Sequence, residues 1–448
     1  MPAALTDFRL TRHLRVLTPD GRLLFATRLA RLFAYGFLSV VLVLYLAEVG
    51  LTEAQIGLLL TLTLIGDTLI SLWMTTRADR LGRKRMLLFG AGLMVLAGAL
   101  FALTQDFRLL VLAATIGVIS PSGNEVGPFL SIEQAALSQL IPDERRTPVF
   151  AWYNLVGSFA TAVGALCGGA LAQNLRSAGL TPLDSYRAIV MGYAVIGLLL
   201  AILFRQLSSA VETLVSSPAA RHTSLGLHRS RHVVLRLSSL FALDAFGGGF
   251  VVQSIVAYWF HVRYGVQPAA LGGIFFGANL LAGISALSAA WLARRIGLIN
   301  TMVFTHLPSN VLLVLVPLMP TLPLAVAVLL LRFSLSQMDV PTRQSYTLAV
   351  VTPDERSAAA GVTGIARTIG ASLSPLFAGP MLGLPALWSA PFFVAGGLKI
   401  IYDLALYRSF VALKPPEEKS FDSALPPHSP SPDLRSGEGD GGEERRSP

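Results

Sequence analysis

A short polar segment lies between two long apolar runs, and it reads Thr75-Thr76-Arg77-Ala78-Asp79-Arg80-Leu81-Gly82-Arg83-Lys84. Mostly apolar residues fill positions 53–74 before this segment and positions 86–104 after it. Each run has about 20 residues, the length at which an α-helix crosses the hydrocarbon core of a bilayer. The segment therefore predicts two membrane-spanning helices joined by a tight, basic turn.

The same apolar character extends over the whole chain of 448 residues. Hydrophobic residues make up 53% of the chain and charged residues 14%, and the mean hydropathy is +0.62. Soluble domains carry roughly 25% charged residues, so a bilayer is the expected solvent. This composition argues against a soluble enzyme, a disordered chain and a nucleic-acid-binding domain. The single cysteine, Cys167, excludes an intramolecular disulfide and a cysteine-based metal cluster.

Apolar runs recur along the chain and predict twelve spans. Their ranges are 25–48, 53–76, 86–104, 107–139, 148–172, 186–205, 233–260, 267–292, 300–319, 322–348, 357–380 and 388–408. The polar connection 206–232 divides the chain into two groups of six spans, over 25–205 and 233–411. Residues 1–24 are expected to form a cytoplasmic N-terminal segment. The Pro-, Ser-, Gly- and Glu-rich residues 412–448 are expected to form a disordered cytoplasmic tail.

The connections between spans alternate in positive charge. One set holds fourteen basic residues, which are Arg77, Arg80, Arg83, Lys84, Arg85, Arg145, Arg146, Arg205, Arg221, Arg229, Arg231, Arg294, Arg295 and Arg356. The other set holds Arg108, Arg176, Arg187 and Arg263. The positive-inside rule places the first set and both termini in the cytoplasm, in a multi-pass protein of the plasma (inner) membrane. The net charge of +9 is thus explained by the loops, without nucleic acid.

Two motifs recur in the two groups of spans. Ile141-Pro142-Asp143-Glu144-Arg145 follows the fourth span, and Thr352-Pro353-Asp354-Glu355-Arg356 follows the tenth, 211 positions later. Ala78-Asp79-Arg80-Leu81-Gly82 is echoed by Ala293-Arg294-Arg295-Ile296-Gly297. Duplicated halves of this kind place a substrate site near the bilayer midplane, between the repeats.

The segment 75–84 resembles the signature G-x-L-a-D-r-x-G-r-k of the major facilitator superfamily. The D-R-x-G-R-K core matches, while Thr75 and Arg77 stand where the family has Gly and Leu. The resemblance implies an all-α membrane protein with twelve helices in two pseudo-symmetric six-helix bundles, working as a monomer. It also implies a gate, with Asp79 as the latch acid, Gly82 in the turn, and Arg83 and Lys84 as the basic arm. A basic loop that merely sets orientation is the alternative.

The fifth span carries Gly157, Gly164, Gly168 and Gly169. This pattern resembles the tail of the family's antiporter motif, G-P-x-x-G-G, with Ala165 in place of the proline. The alternative interpretation is ordinary packing of small residues between membrane helices.

Ionisable and amide side chains lie inside the predicted spans, where a charge costs about 2.5–3.5 kcal/mol on insertion scales. They are Asp67, Asn124, Glu125, Asp244, Arg332, Asp339 and Arg367. Ser120-Pro121-Ser122-Gly123 and Gly247-Gly248-Gly249 are expected to break their helices beside these residues. Such breaks predict a substrate or proton pathway, and a gating hinge or a buried ion pair is the alternative.

These residue types suggest separate roles. Glu125, Asp244 and Asp339 are the candidates for a proton-carrying acid, because a buried carboxylate can be neutral near pH 7. Arg332 is the candidate for binding an anionic substrate group, or for pairing with the acid. Arg367 resembles an arginine common in span eleven of the superfamily and is expected to be structural or gating, and Asp67 is placed on the same pathway.

Further charged residues receive simpler interpretations. Lys399 and Asp403 are spaced i, i+4 and are expected to neutralise each other. Glu133 and Arg343 are expected either to form a salt bridge between the halves or to be solvated at the interface. His306 is expected to be isolated near a helix end, and we predict no metal site and no cofactor.

Motifs for ATP hydrolysis, for zinc proteases and for serine hydrolases are missing from the sequence. We therefore predict a secondary active transporter of a small organic solute, not an enzyme. It would work by alternating access, with proton-coupled export (antiport) as the leading mechanism. Proton-coupled uptake (symport) and a non-transporting receptor on the same scaffold remain open.

Overall fold

The computed structural model describes residues 17–124, 127–142, 146–212, 227–352 and 355–413, and these ranges are helical with no strand among them. The helices of the N-terminal half are α1 Pro19–Ser39, α2 Leu42–Glu48, α3 Glu53–Leu81, α4 Arg83–Leu103, α5 Phe107–Ile116, α6 Phe129–Leu140, α7 Arg146–Ser177 and α8 Pro182–Arg205.

The C-terminal half repeats this arrangement after a short 3₁₀ turn at Ser209–Val211. Its helices are α9 Arg231–Gly249, α10 Gln253–Tyr264, α11 Pro268–Ile296, α12 Leu298–Leu315, α13 Leu322–Leu335, α14 Asp339–Ala349, α15 Arg356–Leu382 and α16 Ala390–Phe410. Two further 3₁₀ turns lie at Val316–Leu318 and Pro385–Leu387. Three predictions fall wholly or partly outside the described residues. They are the N-terminal segment (at 1–16), the C-terminal tail (at 414–448) and the acid Glu125.

Most of the predicted spans correspond to helices that can cross a membrane. In the described ranges, nine helices or helix pairs are long and apolar enough, and the bent pair α1–α2 makes a tenth. The predicted fourth span is divided into the short helices α5 and α6. The predicted eleventh span is α15, whose Gly, Ser, Thr and Arg residues lower its apolarity. The expected multi-pass, all-helical fold is thus confirmed.

The outer faces of the helices expose large apolar side chains. Water would penalise this surface, whereas a bilayer covers it without cost. Examples at about half exposure or more are Leu69, Leu103, Val195, Leu198, Phe304, Leu331 and Ile401.

Helix breaks recur at every third predicted span. The first span bends by 44° between α1 and α2, and the seventh breaks at 250–252, after the three glycines. The fourth is non-helical over 117–128 where it is described, around Pro121, and the tenth breaks at 336–338. The break expected at 120–123 is confirmed. The one expected at 247–249 lies directly after these glycines, which are still helical, and the other two breaks complete the repeat. Four interrupted helices therefore place irregular backbone inside the molecule, where protein must satisfy it.

The two halves pack against each other through α3 with α15 and α7 with α11. These pairs approach closely because glycines face each other. A Cβ at Gly57 would lie 2.3 Å from the carbonyl oxygen of Pro375, and one at Gly169 would lie 2.2 Å from that of Pro268. Small residues of this kind let helix backbones touch in membranes. The contact lies near the first turns of α3 and α11.

The same helix pairs separate towards their other ends. Eighteen residues make five helical turns, so Gly361 shares a face of α15 with Gly379, which contacts Gly57. A Cβ at Gly361, however, would meet nothing within 4 Å. In the pair α7–α11, Gly169 contacts Gly272, and the residues 18 positions away on the same faces, Ala151 and Ala290, are exposed. The halves are closed on one side and apart on the other, called here the basic side because Arg80, Arg83, Arg294 and Arg295 lie there.

Candidate functional site

A cluster of buried charges joins five helices of the C-terminal half and is centred on Asp244 in α9. We call it the Asp244 cluster, and its members are Asp244, His306, Asp339, Arg343, Arg367, Lys399 and Asp403. Nζ of Lys399 lies 2.6 Å from Oδ1 of Asp244, and Nη1 of Arg367 lies 3.1 Å from Oδ2. One carboxylate thus receives cations from α15 and α16, which pack on α9 from different sides.

The start of α14 adds a second acid to the cluster. Nη1 of Arg343 lies 2.5 Å from Oδ2 of Asp339 and 3.5 Å from Oδ2 of Asp244. The side chains of all three residues are at most 7% exposed. Because charges so deeply buried need partners, this arginine links the two carboxylates. The structure therefore brings together Asp244, Asp339 and Arg367, three of the residues selected from the sequence.

His306 lies in the interior of the cluster, between α9 and α16. Its Nδ1 is 2.8 Å from Oδ1 of Asp403, and its Nε2 is 3.7 Å from Oδ1 of Asp244. The expectation that His306 is isolated near a helix end was wrong, because it occupies the middle of α12. Sequence spacing could not reveal this, since both carboxylates come from other helices.

The expected pair between Lys399 and Asp403 is also not the one observed. Lys399 contacts Asp244, whereas Asp403 lies 2.8 Å from Nδ1 of His306 and accepts a hydrogen bond at 2.8 Å from Nδ2 of Asn310. Residues spaced i, i+4 share a helix face, but α9 and α12 offer each of them a partner on a different helix. Tertiary packing thus replaces the local pair.

Arg332 in α13 is near the cluster but outside its ion pairs. It is half-buried, and its guanidinium lies 4.9 Å from the ring centroid of Phe333. Its Nε is buried and has no hydrogen-bond partner among the described residues. Asp244 and Asp339 are the carboxylates that favour its charge electrostatically. This cation is therefore less fully compensated than Arg343.

The N-terminal half holds a second buried network, in which several donors share the single carboxylate of Glu133. Helix α1 supplies its cation. Nη1 and Nη2 of Arg31 each donate at 2.7 Å to the carboxylate of Glu133 in α6. The hydroxyls of Thr27 and Tyr153 donate to the same carboxylate. The predicted salt bridge between Glu133 and Arg343 across the halves is not the one observed, because each residue pairs inside its own half.

A neighbouring arginine extends this network towards the space between the halves on the basic side, which we call the opening. Nε of Arg28 donates to the carbonyl oxygen of Tyr153 at 2.7 Å, and Nη2 donates to Oδ1 of Asn154 at 3.1 Å. Asn154 is exposed, on the face of α7 that also carries Ala151. The polar lining of the opening therefore includes residues of both halves, Asn154 from one and Arg367, one-third exposed, from the other.

Residues of the broken fourth span meet the C-terminal half on the closed side, where we call the contact between the two halves the seam. The backbone N–H of Ser254 donates to the carbonyl oxygen of Pro121 at 3.1 Å. Nε2 of Gln253 donates to Oγ of Ser39 at 2.8 Å, and its Oε1 accepts from Nδ2 of Asn279 at 3.1 Å. The backbone freed by the breaks is thus used to join the two halves.

Two other predicted residues lie near the break of the fourth span. Asn124 is exposed, and its carbonyl oxygen accepts from Oγ of Ser120 at 2.7 Å. Asp67 in α3 is 8% exposed, and its Oδ1 would lie 3.6 Å from a Cβ at Gly127, near the end of the break. The structure places both near the fourth-span break, at a distance along the fold from the Asp244 cluster.

The predicted gate loop is a tight turn between α3 and α4. Gly82 has φ +99°, a conformation that side-chain-bearing residues rarely adopt, and Gly297 has φ +86° at the equivalent turn. Nε of Arg83 lies 2.9 Å from Oδ1 of Asp79, which is 62% exposed. The backbone N–H groups of Arg83 and Lys84 donate to the carboxylate of Glu212. The loop is therefore attached to the connection between the halves.

Glu355 holds the other end of that connection on the basic side. Its buried carboxylate accepts the backbone N–H groups of His228, Arg229 and Ser230, the last two at 2.8 Å. Hydrogen bonds from Ser230 and from these N–H groups lower the pKa of Glu355 to about 2. One P-D-E-R motif thus clamps the start of α9, while residues 143–145 of the other lie outside the described part.

Comparison with known proteins gives the same assignment along the chain. The sequence profile described as Major Facilitator Superfamily matches residues 24–375. An uncharacterized membrane protein of Saccharomyces cerevisiae is 31% identical over 424 residues, which are 88% of this chain and 94% of that protein. The quinolone resistance protein NorA of Staphylococcus aureus is 26% identical over 138 residues, 31% of this chain and 34% of NorA.

Solved structures resemble the fold at low sequence identity. A variant of the nucleoside transporter NupG has a TM-score of 0.68 and 13% identity, over 87% of this chain and 100% of that one. A D-xylose-proton symporter has a TM-score of 0.66 and 16% identity, over 87% and 97% of the two chains. These likenesses support the fold and leave the substrate undetermined.

Proposed function

The chain belongs to the Major Facilitator Superfamily, and on that premise we propose that it exports a small organic solute in exchange for protons. The family and the structural neighbours indicate a membrane transporter rather than an enzyme. The proposal concerns the direction, the coupling ion and the residues involved.

One observation carries the proposal. The halves touch through Gly57 with Pro375 and Gly169 with Pro268 on one side, and they are apart at Gly361 and Ala290 on the other. Two pseudo-symmetric bundles closed at one end only are one state of a rocking transporter. Rocking about the buried polar residues would open the seam at Gln253 and close the basic side.

The positive-inside rule favours a cytoplasmic location for the basic side and for both termini, in the plasma membrane. The state described here would then be open to the cytoplasm, where an exporter loads its solute. Asp79, Gly82, Arg83 and Lys84 would act as the gate that closes this side. Because the loop is already attached to Glu212, its movement would be transmitted to the connection between the halves.

We assign the substrate and proton pathway to two groups of residues. In the C-terminal half these are Arg332, Asp339 and Arg367 with Asp244, in or beside the Asp244 cluster, and in the N-terminal half they are Asn124 and Asp67, near the break of the fourth span. Glu125 belongs to the same proposal but lies outside the described residues. The guanidinium of Arg367, one-third exposed, and the exposed amide of Asn154 suit a solute with hydrogen-bond acceptors. One charge moving through 100 mV supplies about 2.3 kcal/mol, enough to drive accumulation.

Uptake with protons is the second candidate, and Arg367 is the observation that favours it. As the most exposed member of the Asp244 cluster, this arginine could bind an anionic solute. An anion and a proton stabilise each other in one site, which is the linkage that symport requires. In antiport, by contrast, the solute and the proton must compete.

Flux into proteoliposomes tests the proposal. The full chain would be reconstituted as a monomer and offered a fluorescent quinolone, uridine and D-xylose under opposite pH gradients. Accumulation on the acidic side supports antiport, and accumulation on the alkaline side supports symport. If a probe shifts the melting temperature of the protein but is not moved under either gradient, the chain is a receptor and the proposal fails.

A further inference from the structure

The imidazole of His306 connects two carboxylates that are otherwise held by different groups. Its two nitrogens face Asp403 at 2.8 Å and Asp244 at 3.7 Å. The side chains of His306, Asp403 and Asp244 are 5%, 0% and 4% exposed. A neutral imidazole has one N–H, whereas the imidazolium has two. In this position, only the imidazolium directs an N–H at each carboxylate.

The two carboxylates differ in how their charge is balanced. Asp244 faces Lys399, Arg367 and Arg343 within 3.5 Å, so three cations surround it without the histidine. Asp403 accepts from the neutral amide of Asn310, and its ion-pair partner in the described part of the chain is His306. A buried carboxylate without a compensating charge is very costly. The His306–Asp403 pair is therefore stabilised when the imidazole carries its second proton, because that charge compensates Asp403. Asp244 does not depend on this proton, because three other cations face it.

The surroundings of His306 contain further charged or titratable groups, which act on the same proton. Nδ2 of Asn310, on the same helix, lies 3.1 Å from Nδ1 of His306. The ring of Tyr402 in α16 is edge-on to the imidazole, with ring centroids 5.9 Å apart. The remaining charged groups lie on the other side of Asp244. Arg343, Arg367 and Lys399 contact Asp244, Asp339 pairs with Arg343, and Arg332 lies near the cluster but outside its ion pairs.

We propose that the His306–Asp403 pair is the proton-binding site of this protein, and that Asp244 and Arg367 link it to the opening between the halves. A second proton on His306 adds a positive charge 3.7 Å from Asp244. Asp244 is then shared between this charge and Arg367, which is the cluster member that reaches the opening. Protonation of the pair thus changes the charge offered to a solute. This linkage rests on the proposed transport function, whereas proton binding itself does not.

Proton binding can be measured directly by NMR of the protein labelled with ¹⁵N-histidine in nanodiscs, between pH 5 and pH 9, where histidine commonly titrates. The expected result is a ring signal that changes with pH, disappears in His306→Gln and moves over a different pH range in Asp403→Asn. The control His261→Gln should keep this signal, because His261 contacts the carbonyl oxygen of Val266 at a helix end. A ring signal of His306 that does not change with pH overturns the proposal.

Flux measurements with the quinolone, uridine and D-xylose probes test the linkage. We expect His306→Gln to lose accumulation driven by a pH gradient while it still exchanges labelled for unlabelled probe at equal pH. His261→Gln should keep both activities. If His306→Gln accumulates probe like the wild type, the linkage is overturned. If the wild type moves none of the probes, the proposed function fails, and the NMR titration still decides whether the pair binds a proton.

Discussion

Nζ of Lys399 lies 2.6 Å from Oδ1 of Asp244, although the two residues are 155 positions apart in the chain. The contact joins α16 to α9 in the interior of the C-terminal half. Lys399 therefore belongs to the same network as Arg367, which reaches the opening, rather than to a local pair on a peripheral helix. The connection gives α16 a role in the charge balance of the candidate site.

A double-mutant cycle should locate this interaction. Asp244→Asn leaves Lys399 buried without its carboxylate, and Lys399→Met leaves Asp244 with one cation fewer, so combining the two should restore part of the lost stability. We expect an interaction free energy of about 0.5–3 kcal/mol from unfolding in detergent. The matched cycle with Asp403→Asn and Lys399→Met should give a value near zero. A larger coupling for the second cycle would show that Lys399 pairs with its i+4 neighbour after all.

The buried pair of the N-terminal half should be far more important to stability than a surface pair. Glu133→Gln removes the charge of a carboxylate that Arg31, Thr27 and Tyr153 all contact, and the side chains of Arg31 and Glu133 are 0% exposed. Breaking such a pair costs about 3–5 kcal/mol. The control Asp184→Asn breaks an exposed pair with Arg187 at 3.3 Å, which should cost less than about 1 kcal/mol. Equal effects on the free energy of unfolding would contradict the buried network.

Glu355 predicts a pH-dependent attachment of the connection between the halves. The lowered pKa of about 2 means that the folded state favours the carboxylate, so its stabilisation is present above the unfolded value, near 4.5. This stabilisation is lost as the pH falls from about 4.5 towards 2. Glu355→Gln should therefore melt below the wild type at pH 7, and the gap between the two melting temperatures should narrow at pH 3. A gap that stays constant would remove the carboxylate from this role.

The sequence predicted the features that depend on local composition. Span length, charge asymmetry, the repeat of P-D-E-R and the breaks at Pro121 and just after 247–249 all follow from neighbouring residues. The partners of buried charges do not, because they are chosen by contacts between distant helices. His306 could have been suspected only from its type, since an ionisable residue within an apolar run needs a partner. Its actual partners, Asp403 and Asp244, come from α16 and α9.

The gate motif is a second case in which the local sequence predicts the turn but not its long-range contacts. The pattern at Asp79–Lys84 predicts a turn, and Gly82 forms it with a positive φ. The bonds from Arg83 and Lys84 to Glu212 could not be expected, because the polar connection carries no pattern that specifies where it docks. The family resemblance therefore identified the loop but not its attachment.

The packed glycines of the closed side should control the balance between the two states. A Cβ at Gly57 meets backbone at 2.3 Å, so Gly57→Ala should destabilise the closed seam and favour the state in which the basic side is closed. Labelling of Ala290→Cys, in a Cys167→Ser background, should then slow. Gly92→Ala is the matched control, because Gly92 is exposed on α4, outside the helix pairs that join the halves, and its Cβ enters open space. Equal labelling rates in the two variants would mean that the seam does not set the balance.

Asp79→Asn should move the same equilibrium in the opposite direction, if the loop latches the basic side as proposed. The carboxylate is 62% exposed here and contacts Arg83 of its own loop, so removing its charge costs little in this state. In the state in which the basic side is closed, Asp79→Asn loses whatever stronger interaction the carboxylate makes there. The open state should therefore gain population, and labelling of Ala290→Cys should become faster. Asp106→Asn is the control, since Asp106 caps α5 on the other side and asparagine caps helices equally well. Unchanged labelling in Asp79→Asn would reduce the motif to a tight turn with topogenic charges.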